Sequence, residues 1–309
     1  MSTPPASSPQ LAARVVAAHG RLMRVQLADG RESVARPPGR QTQLVCGDKV
    51  ICELDAQHDE LRIVSVAPRS GALYRSNARG QAELIAANLT LLAVVVAPLP
   101  APDFFIVDRY LAAAECAGMQ AIVLLNKTDV PCTADIDAAL QVYSRLDLSV
   151  RRVCAHTHAG LEQLQSALRN ETSALVGQSG VGKSSLSRAL VPQSAASVGE
   201  LLRDEGGRHT TTAVSLYDLP GGGAIVDSPG VRDFAPAIDR LDAATLGFRE
   251  VAALREGCRF ADCRHMREPD CAVRSAVGIS LDSRRYESYR RLRRLFERLQ
   301  PTPGRRQMR

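Results

Sequence analysis

The residues of most direct chemical consequence are Gly177-Gln178-Ser179-Gly180-Val181-Gly182-Lys183-Ser184, which fit the pattern G-x-x-x-x-G-K-[ST]. In such a loop the glycines let backbone N–H groups converge on phosphate oxygens, the lysine reaches the β- and γ-phosphates, and the serine hydroxyl serves Mg²⁺. The pattern carries meaning only between a strand and a helix. The apolar run Ala174-Leu175-Val176 precedes it, and Ser185 to Leu190 reads as a helix behind it. A glycine-rich turn of purely structural purpose would not require the Lys183-Ser184 pair. The segment Gly177 to Ser185 is therefore the candidate triphosphate-binding loop, for a base it does not specify.

Two further stretches extend that site. Asp227-Ser228-Pro229-Gly230 follows the short apolar run Gly223 to Val226, the place for a carboxylate that holds Mg²⁺ directly or through water while the Gly230 N–H senses the γ-phosphate. Between the two lies Gly206-Gly207-Arg208-His209-Thr210-Thr211-Thr212, whose composition suits a switch loop that orders around the metal. Thr211 is preferred over Thr210 as its ligand; a threonine-rich strand start is the plain alternative. Ser184, Thr211 and Asp227 are thus the candidate magnesium ligands. The glutamine that orients water in Ras-like sites has no counterpart, because Val231 follows Gly230. His209 is the candidate for that role, with a simple contact residue on a mobile loop as the competing reading.

A base-reading motif stands upstream. Asn126-Lys127-Thr128-Asp129 follows the apolar run Ala121 to Leu125, at the carboxyl edge where open α/β sheets bind ligands. The Asp129 carboxylate can accept from guanine N1–H and N2–H₂ together, Asn126 can contact the N7/O6 edge or brace the loop, and the Lys127 stem can lie over the base. Adenine lacks that donor pair, so the expected nucleotide is GTP. A second base loop is expected at Val153-Cys154-Ala155-His156, with the Ala155 N–H aimed at guanine O6. The chain order is therefore base motif, second base loop, phosphate loop, switch, Asp-x-x-Gly, a circular permutation of the usual order. Such permutation is tolerated because domain termini lie close together.

Cys258, Cys263, His265 and Cys271 offer three thiolates and one imidazole within fourteen residues. This Cys₃His set suits one closed, tetrahedral, structural zinc ion, with no position open for catalysis. Buried thiols without a metal are the alternative.

The elements that must position these residues are legible in outline. Residues 11–68 show five short alternating segments, Ala13 to Ala17, Met23 to Leu27, Ser33 to Arg36, Lys49 to Leu54 and Leu61 to Val66, broken by turn residues such as Asp29-Gly30. They predict a small β-barrel. Over 69–235 apolar runs alternate with helical stretches, which predicts an α/β domain with a mostly parallel sheet. Residues 236–300 lose their strands: Asp242 is expected to open a helical stretch, the Cys/His cluster follows, and an arginine-rich helix runs from Asp282 to Leu299 before Pro301. Residues 1–10 read as a frayed tail and 301–309 as a basic one. Ten arginines against two glutamates between 284 and 309 concentrate the net charge of +6 at the C-terminal end. That run is either a solvated helix face or a surface for a phosphate backbone. An apolar fraction of 45% supports folded domains rather than disorder. The longest apolar run, Leu89 to Ala97, is under half of a membrane span, and the first ten residues lack the features of a signal peptide. Cysteines without paired spacing fit a reducing compartment. The expectation is a cytosolic monomer.

Taken together, Asn-Lys-Thr-Asp at 126–129, Gly177 to Ser184, Gly-Arg-His-Thr-Thr-Thr at 207–212, Asp227 to Gly230 and the cluster from Cys258 to Cys271 resemble the bacterial family of small-ribosomal-subunit biogenesis GTPases known as RsgA or YjeQ, over about residues 11–299. The resemblance implies an OB-fold, a permuted GTPase domain and a zinc domain. It also implies action late in maturation of the 30S subunit, GTP hydrolysis stimulated by that subunit, and contact with 16S rRNA through both flanking domains. It points to His209 as the catalytic residue. Two departures concern the second base loop: Cys154 stands where serine is usual, and His158-Ala159 where a small glycine-containing sequence is usual. A passive RNA-binding module that only senses nucleotide, and a metabolic P-loop kinase or ATPase, are the competing classes. Turnover with saturating subunits and the preference for guanine separate them.

Overall fold

Five strands with period-two burial open the chain: β1 (Gln10–His19), β2 (Leu22–Leu27), β3 (Glu32–Arg36), β4 (Lys49–Asp55) and β5 (Glu60–Val66). The computed structural model describes residues 9–19, 22–39, 43–55, 60–77, 81–191, 214–227 and 235–299. The strands join in the order β1-β2-β3-β5-β4, and β4 returns to β1, so the sheet closes into a barrel. All pairs are antiparallel except β3 with β5. Alternate residues Val15, Met23, Val25, Ala35, Val50, Cys52, Leu61 and Ile63 fill its interior. Closure removes the open sheet edges that five short strands would otherwise expose.

Six further strands build the central sheet: β8 (Leu91–Val96), β9 (Gln120–Leu125), β10 (Ser149–Arg152), β11 (Thr172–Gly177), β12 (Ser215–Asp218) and β13 (Ala224–Asp227). Their order is β10-β9-β8-β11-β13-β12, parallel throughout except for β12. Being parallel and covered on both faces, the inner strands need apolar residues at every position. On β8, Leu92, Val94 and Val96 pack with helices α1 (Phe104–Cys116) and α2 (Ala134–Arg145), while Leu91, Ala93 and Val95 pack with α3 (Leu161–Leu168) and α4 (Lys183–Leu190). The order brings the ends of β9, β11 and β13 to one carboxyl edge, where a crevice for ligands forms.

Barrel and sheet are one continuous surface of eleven strands, because β1 pairs with β12 at Ala17 and Ser215. Asp218 on β12 accepts from Arg14 on β1 and Gln26 on β2, each at 2.7 Å. A hairpin not foreseen from the sequence, β6 (Leu73–Ser76) with β7 (Ala82–Ala86), bridges the two units.

The C-terminal part is helical, with α5 (Arg249–Leu254), α6 (Ala272–Ser275) and α7 (Ser283–Leu299) around Phe248, Val251, Val273, Tyr289, Leu292 and Phe296. Asp242 opens a turn rather than the expected helix: its Oδ1 accepts from the Ala244 and Thr245 N–H groups and the Thr245 hydroxyl. Such local bonds compete with helix propagation, which starts only at Arg249. The predicted arginine-rich helix is α7, with Asp282 accepting from the Arg285 N–H at its start. Two of its arginines point inward. Arg285 and Arg293 are each 4 % exposed.

Among the described residues, no helix is long and apolar enough to cross a membrane. The architecture is the expected one: an α/β domain of permuted strand order between a five-stranded barrel and a helical region carrying a Cys/His cluster.

Candidate nucleotide site and metal cluster

The phosphate loop leaves β11 at Gly177 and enters α4 at Lys183. Gly177 has φ +141°, and a Cβ there would meet the Val95 carbonyl at 2.2 Å. At Gly182, φ is +93°, and a Cβ would meet Asn126 Nδ2 at 2.3 Å. Both positions demand glycine because the neighbouring strand and the base loop approach the loop backbone so closely. The Lys183 ammonium is buried under the loop and donates to the carbonyls of Gly177 at 2.9 Å and Gln178 at 2.6 Å. The Gln178 side chain in turn accepts from the Asp103 N–H ahead of α1.

Asn126 and Lys127 join the base loop to the phosphate loop. Asn126, 1 % exposed, donates from Nδ2 to the Val181 carbonyl at 2.9 Å and accepts at Oδ1 from the Ala155 N–H at 3.1 Å. Of its two anticipated roles, this geometry displays the bracing one. It also engages the Ala155 N–H, so a bond from that group to a base oxygen would be shared with Asn126. Lys127 donates to the carbonyls of Gly180 at 2.7 Å and Leu99 at 2.8 Å, which stretches its stem across the crevice.

Asp129 stands exposed at the mouth. A side chain whose role the sequence does not announce positions it: the buried Cys154 thiol donates to Asp129 Oδ1 at 3.2 Å and accepts from the Thr157 N–H at 3.4 Å. The thiol bond is the main reason the Asp129 carboxyl lies below its ordinary value, so the group is an acceptor at neutral pH. The clue was available at position 154, where a small donor could serve in place of a hydroxyl.

Asp227 ends β13, and one of its oxygens, Oδ2, accepts from Ser187 Oγ at 2.9 Å. Hydroxyl and carboxylate oxygens of this kind are the hard donors that Mg²⁺ takes. The switch candidates His209, Thr210 and Thr211, and Gly230 of the Asp-x-x-Gly turn, lie outside the described residues.

The structure brings Cys258, Cys263, His265 and Cys271 together, with every ligand atom within 4.8 Å of the others. His265 Nδ1 is 3.5 Å from the sulfurs of both Cys258 and Cys271, which lie 3.9 Å apart. A tetrahedral ion with sulfur at about 2.3 Å and nitrogen at about 2.0 Å sets edges of about 3.8 Å and about 3.5 Å. The four residues can hold one metal ion. Burial pushes the His265 imidazole down from its ordinary value, which favours the neutral ligand form. Glu268 shapes the turn between ligands: its carboxylate accepts from the N–H groups of Arg264, Met266 and Arg267. Burial alone would raise its pKa, but those donors bring it to about 2.

A glycine-rich phosphate loop on a parallel sheet, locked to an Asn-Lys-x-Asp loop that precedes it in the chain, defines a circularly permuted P-loop GTPase. Residues 66–236 match the model of the RsgA GTPase family. The small ribosomal subunit biogenesis GTPase RsgA of Azotobacter vinelandii (strain DJ / ATCC BAA-1303) is 43% identical over 254 residues, 81% of this chain and 74% of that protein. The protein of the same name from Pseudomonas aeruginosa (strain LESB58) is 40% identical over 273 residues, 87% and 80% of the two chains. The crystal structure of YjeQ from Thermotoga maritima superposes with a TM-score of 0.71 at 25% identity, covering 94% of this chain and 99% of that one. The chain belongs to the RsgA GTPase family and is a GTP hydrolase.

Proposed function

We propose that the chain is a GTP-driven factor for late maturation of the small ribosomal subunit, binding the 30S particle with GTP and leaving after hydrolysis to GDP and phosphate. The observation that carries the reading is the coupling of base loop and phosphate loop through Asn126 and Lys127. Because one pair of side chains spans both, a guanine read by Asp129 and a triphosphate held by Gly177 to Ser185 report on each other. The names of the relatives supply the ribosomal partner.

Within this reading Lys183 neutralises the β- and γ-phosphates, and the loop N–H groups cradle them. Ser184, Thr211 and Asp227 hold Mg²⁺, which when bound draws charge from the phosphate oxygens. Gly230 senses the γ-phosphate. His209 orients the attacking water once the subunit orders its loop. Cys258, Cys263, His265 and Cys271 bind one structural zinc ion, and the barrel and the helical region contact 16S rRNA. The protein works as a cytoplasmic monomer.

The deciding experiment compares hydrolysis of GTP and ATP with and without purified small subunits. Stimulated, guanine-selective turnover is the expected result. Negligible turnover at saturating subunits would replace the enzyme with a nucleotide-sensing RNA-binding module. In the same assay His209→Ala should retain GTP and subunit binding but lose stimulated turnover by about 10² or more. A rate within a few-fold of the unaltered protein would remove His209 from catalysis.

A further inference from the structure

One hydroxyl beside the nucleotide site is not required by the phosphate-loop pattern. Ser187 lies three residues after Ser184 on α4, a spacing that sets both on neighbouring positions of one helix face. Ser187 is 5 % exposed, and the other buried residues following the loop on this helix, Leu186 and Leu190, are apolar members of the core beneath it. Packing alone would be met there by an apolar side chain. A buried hydroxyl instead needs a partner, and Ser187 Oγ finds it in Asp227 Oδ2 at 2.9 Å, across from α4 to the end of β13.

We propose that Ser187 is a positioning residue for magnesium: its hydrogen bond fixes the rotamer of Asp227 and so sets the direction in which the carboxylate faces the metal. The inference rests on the reading of Asp227 as a magnesium ligand. Mg²⁺ tolerates little departure from octahedral geometry, so a ligand carboxylate free to rotate binds it less well. Groups that orient metal ligands typically account for about 10- to 100-fold in metal affinity. The bond also ties α4, which begins at the phosphate loop, to β13. The Ser187–Asp227 contact thus adds to the pairing of β11 with β13 in holding the two sides of the metal site together.

The test follows release of a fluorescent ribose-labelled GDP from the full-length protein across Mg²⁺ concentrations and in EDTA, a readout of metal binding that does not depend on turnover. Ser187→Thr and Ser187→Val fill nearly the same volume and differ by the hydroxyl, so a defect of size strikes both alike. Ser187→Val should raise the Mg²⁺ concentration that half-maximally slows release by about tenfold, with release in EDTA unchanged. Ser187→Thr should keep the original midpoint. A midpoint for Ser187→Val within twofold of that for Ser187→Thr overturns the proposal, as does an equal change in EDTA. Asp227→Asn is the control on the underlying reading: if its release shows unaltered Mg²⁺ dependence, Asp227 is not a magnesium ligand at all.

Discussion

Arg285 on the C-terminal helix donates to Asp108 on the first helix of the nucleotide domain at 2.7 Å, and the two side chains are 4 % and 1 % exposed. The pair does not stand alone. Arg285 makes two bonds to Glu250, Arg284 reaches the second Asp108 oxygen at 3.0 Å, and the Tyr143 hydroxyl donates to the first at 2.7 Å. Ion pairs between two arginines and two carboxylates, joined by a phenol, thus fasten the metal-binding region onto α1 and α2. Removing Asp108 would leave Arg285 with Glu250 as its one carboxylate partner and take from the buried Tyr143 hydroxyl its acceptor. Asp108→Ala should therefore destabilise the protein by about 1.5–3 kcal/mol, read as a shift in the denaturant midpoint. A loss below about 1 kcal/mol would show that water reaches the cluster and that the pairing adds little.

Asp129→Asn should weaken GTP binding and admit xanthosine triphosphate. The amide can present a donor where the carboxylate accepted from N1–H and N2–H₂, and xanthine has a carbonyl at that edge. Direct titration with the two nucleotides measures the exchange. Unchanged GTP affinity and base preference would take Asp129 out of base recognition, and the Cys154 thiol bond to it would then be structural.

These sites differ in how far the sequence revealed them. Gly177 to Ser184 and Asn126 to Asp129 were legible because each residue type has one chemical task at a fixed spacing, and the strands before them were plain apolar runs. The barrel strands followed from period-two alternation. The hairpin of β6 and β7 was not legible, since Leu73 to Ser76 is short and its burial depends on the β-strands and loops it bridges. Asp242 carried a helix-start signal whose side chain closed a turn instead. Ser187 could not be assigned from the sequence because it acts through a carboxylate 40 residues away, and the donor capacity of Cys154 was legible without its target, Asp129, 25 residues away.

Removing the metal, by chelation or by Cys263→Ala, should unfold the C-terminal region, because at such a site binding free energy is folding free energy. Nucleotide binding should survive, since α1 to α4 and the sheet have their own cores, while binding to the small subunit falls. Circular dichroism with elemental analysis checks both parts. Reduced, folded protein without stoichiometric zinc would end the assignment.

The arginines of α7 divide into two kinds, and the division makes a prediction that the charge of the run alone could not. Arg293 is buried, with its guanidinium on the carbonyls of Ala243 and Ala244 and on the Tyr289 hydroxyl. Arg285 belongs to the ion cluster. Arg291, Arg294 and Arg298 face solvent along one side of the helix, and Arg291 also lies over the Phe105 ring, 3.9 Å from its centroid. Glu287 offsets part of this charge by pairing with Arg290 and, more distantly, with Arg294. Among the described residues, these three are the exposed arginines of α7 and the ones most open to a phosphate backbone. Arg291→Gln, Arg294→Gln and Arg298→Gln together should leave the melting temperature nearly unchanged, weaken association with the small subunit, and flatten its dependence on salt, by up to about 0.7–0.9 in the log–log slope for each phosphate no longer neutralised. Arg293→Gln should instead lower stability, because two backbone carbonyls and a phenol would be deprived of a charged donor in a buried site. Its effect on binding would follow unfolding rather than salt. Titrations of subunit binding at several ionic strengths, beside thermal melts, separate the two. An unchanged salt slope in the triple variant would make the exposed side of α7 an ordinary solvated face, and the rRNA contact would have to be sought on the metal-binding loops or the barrel.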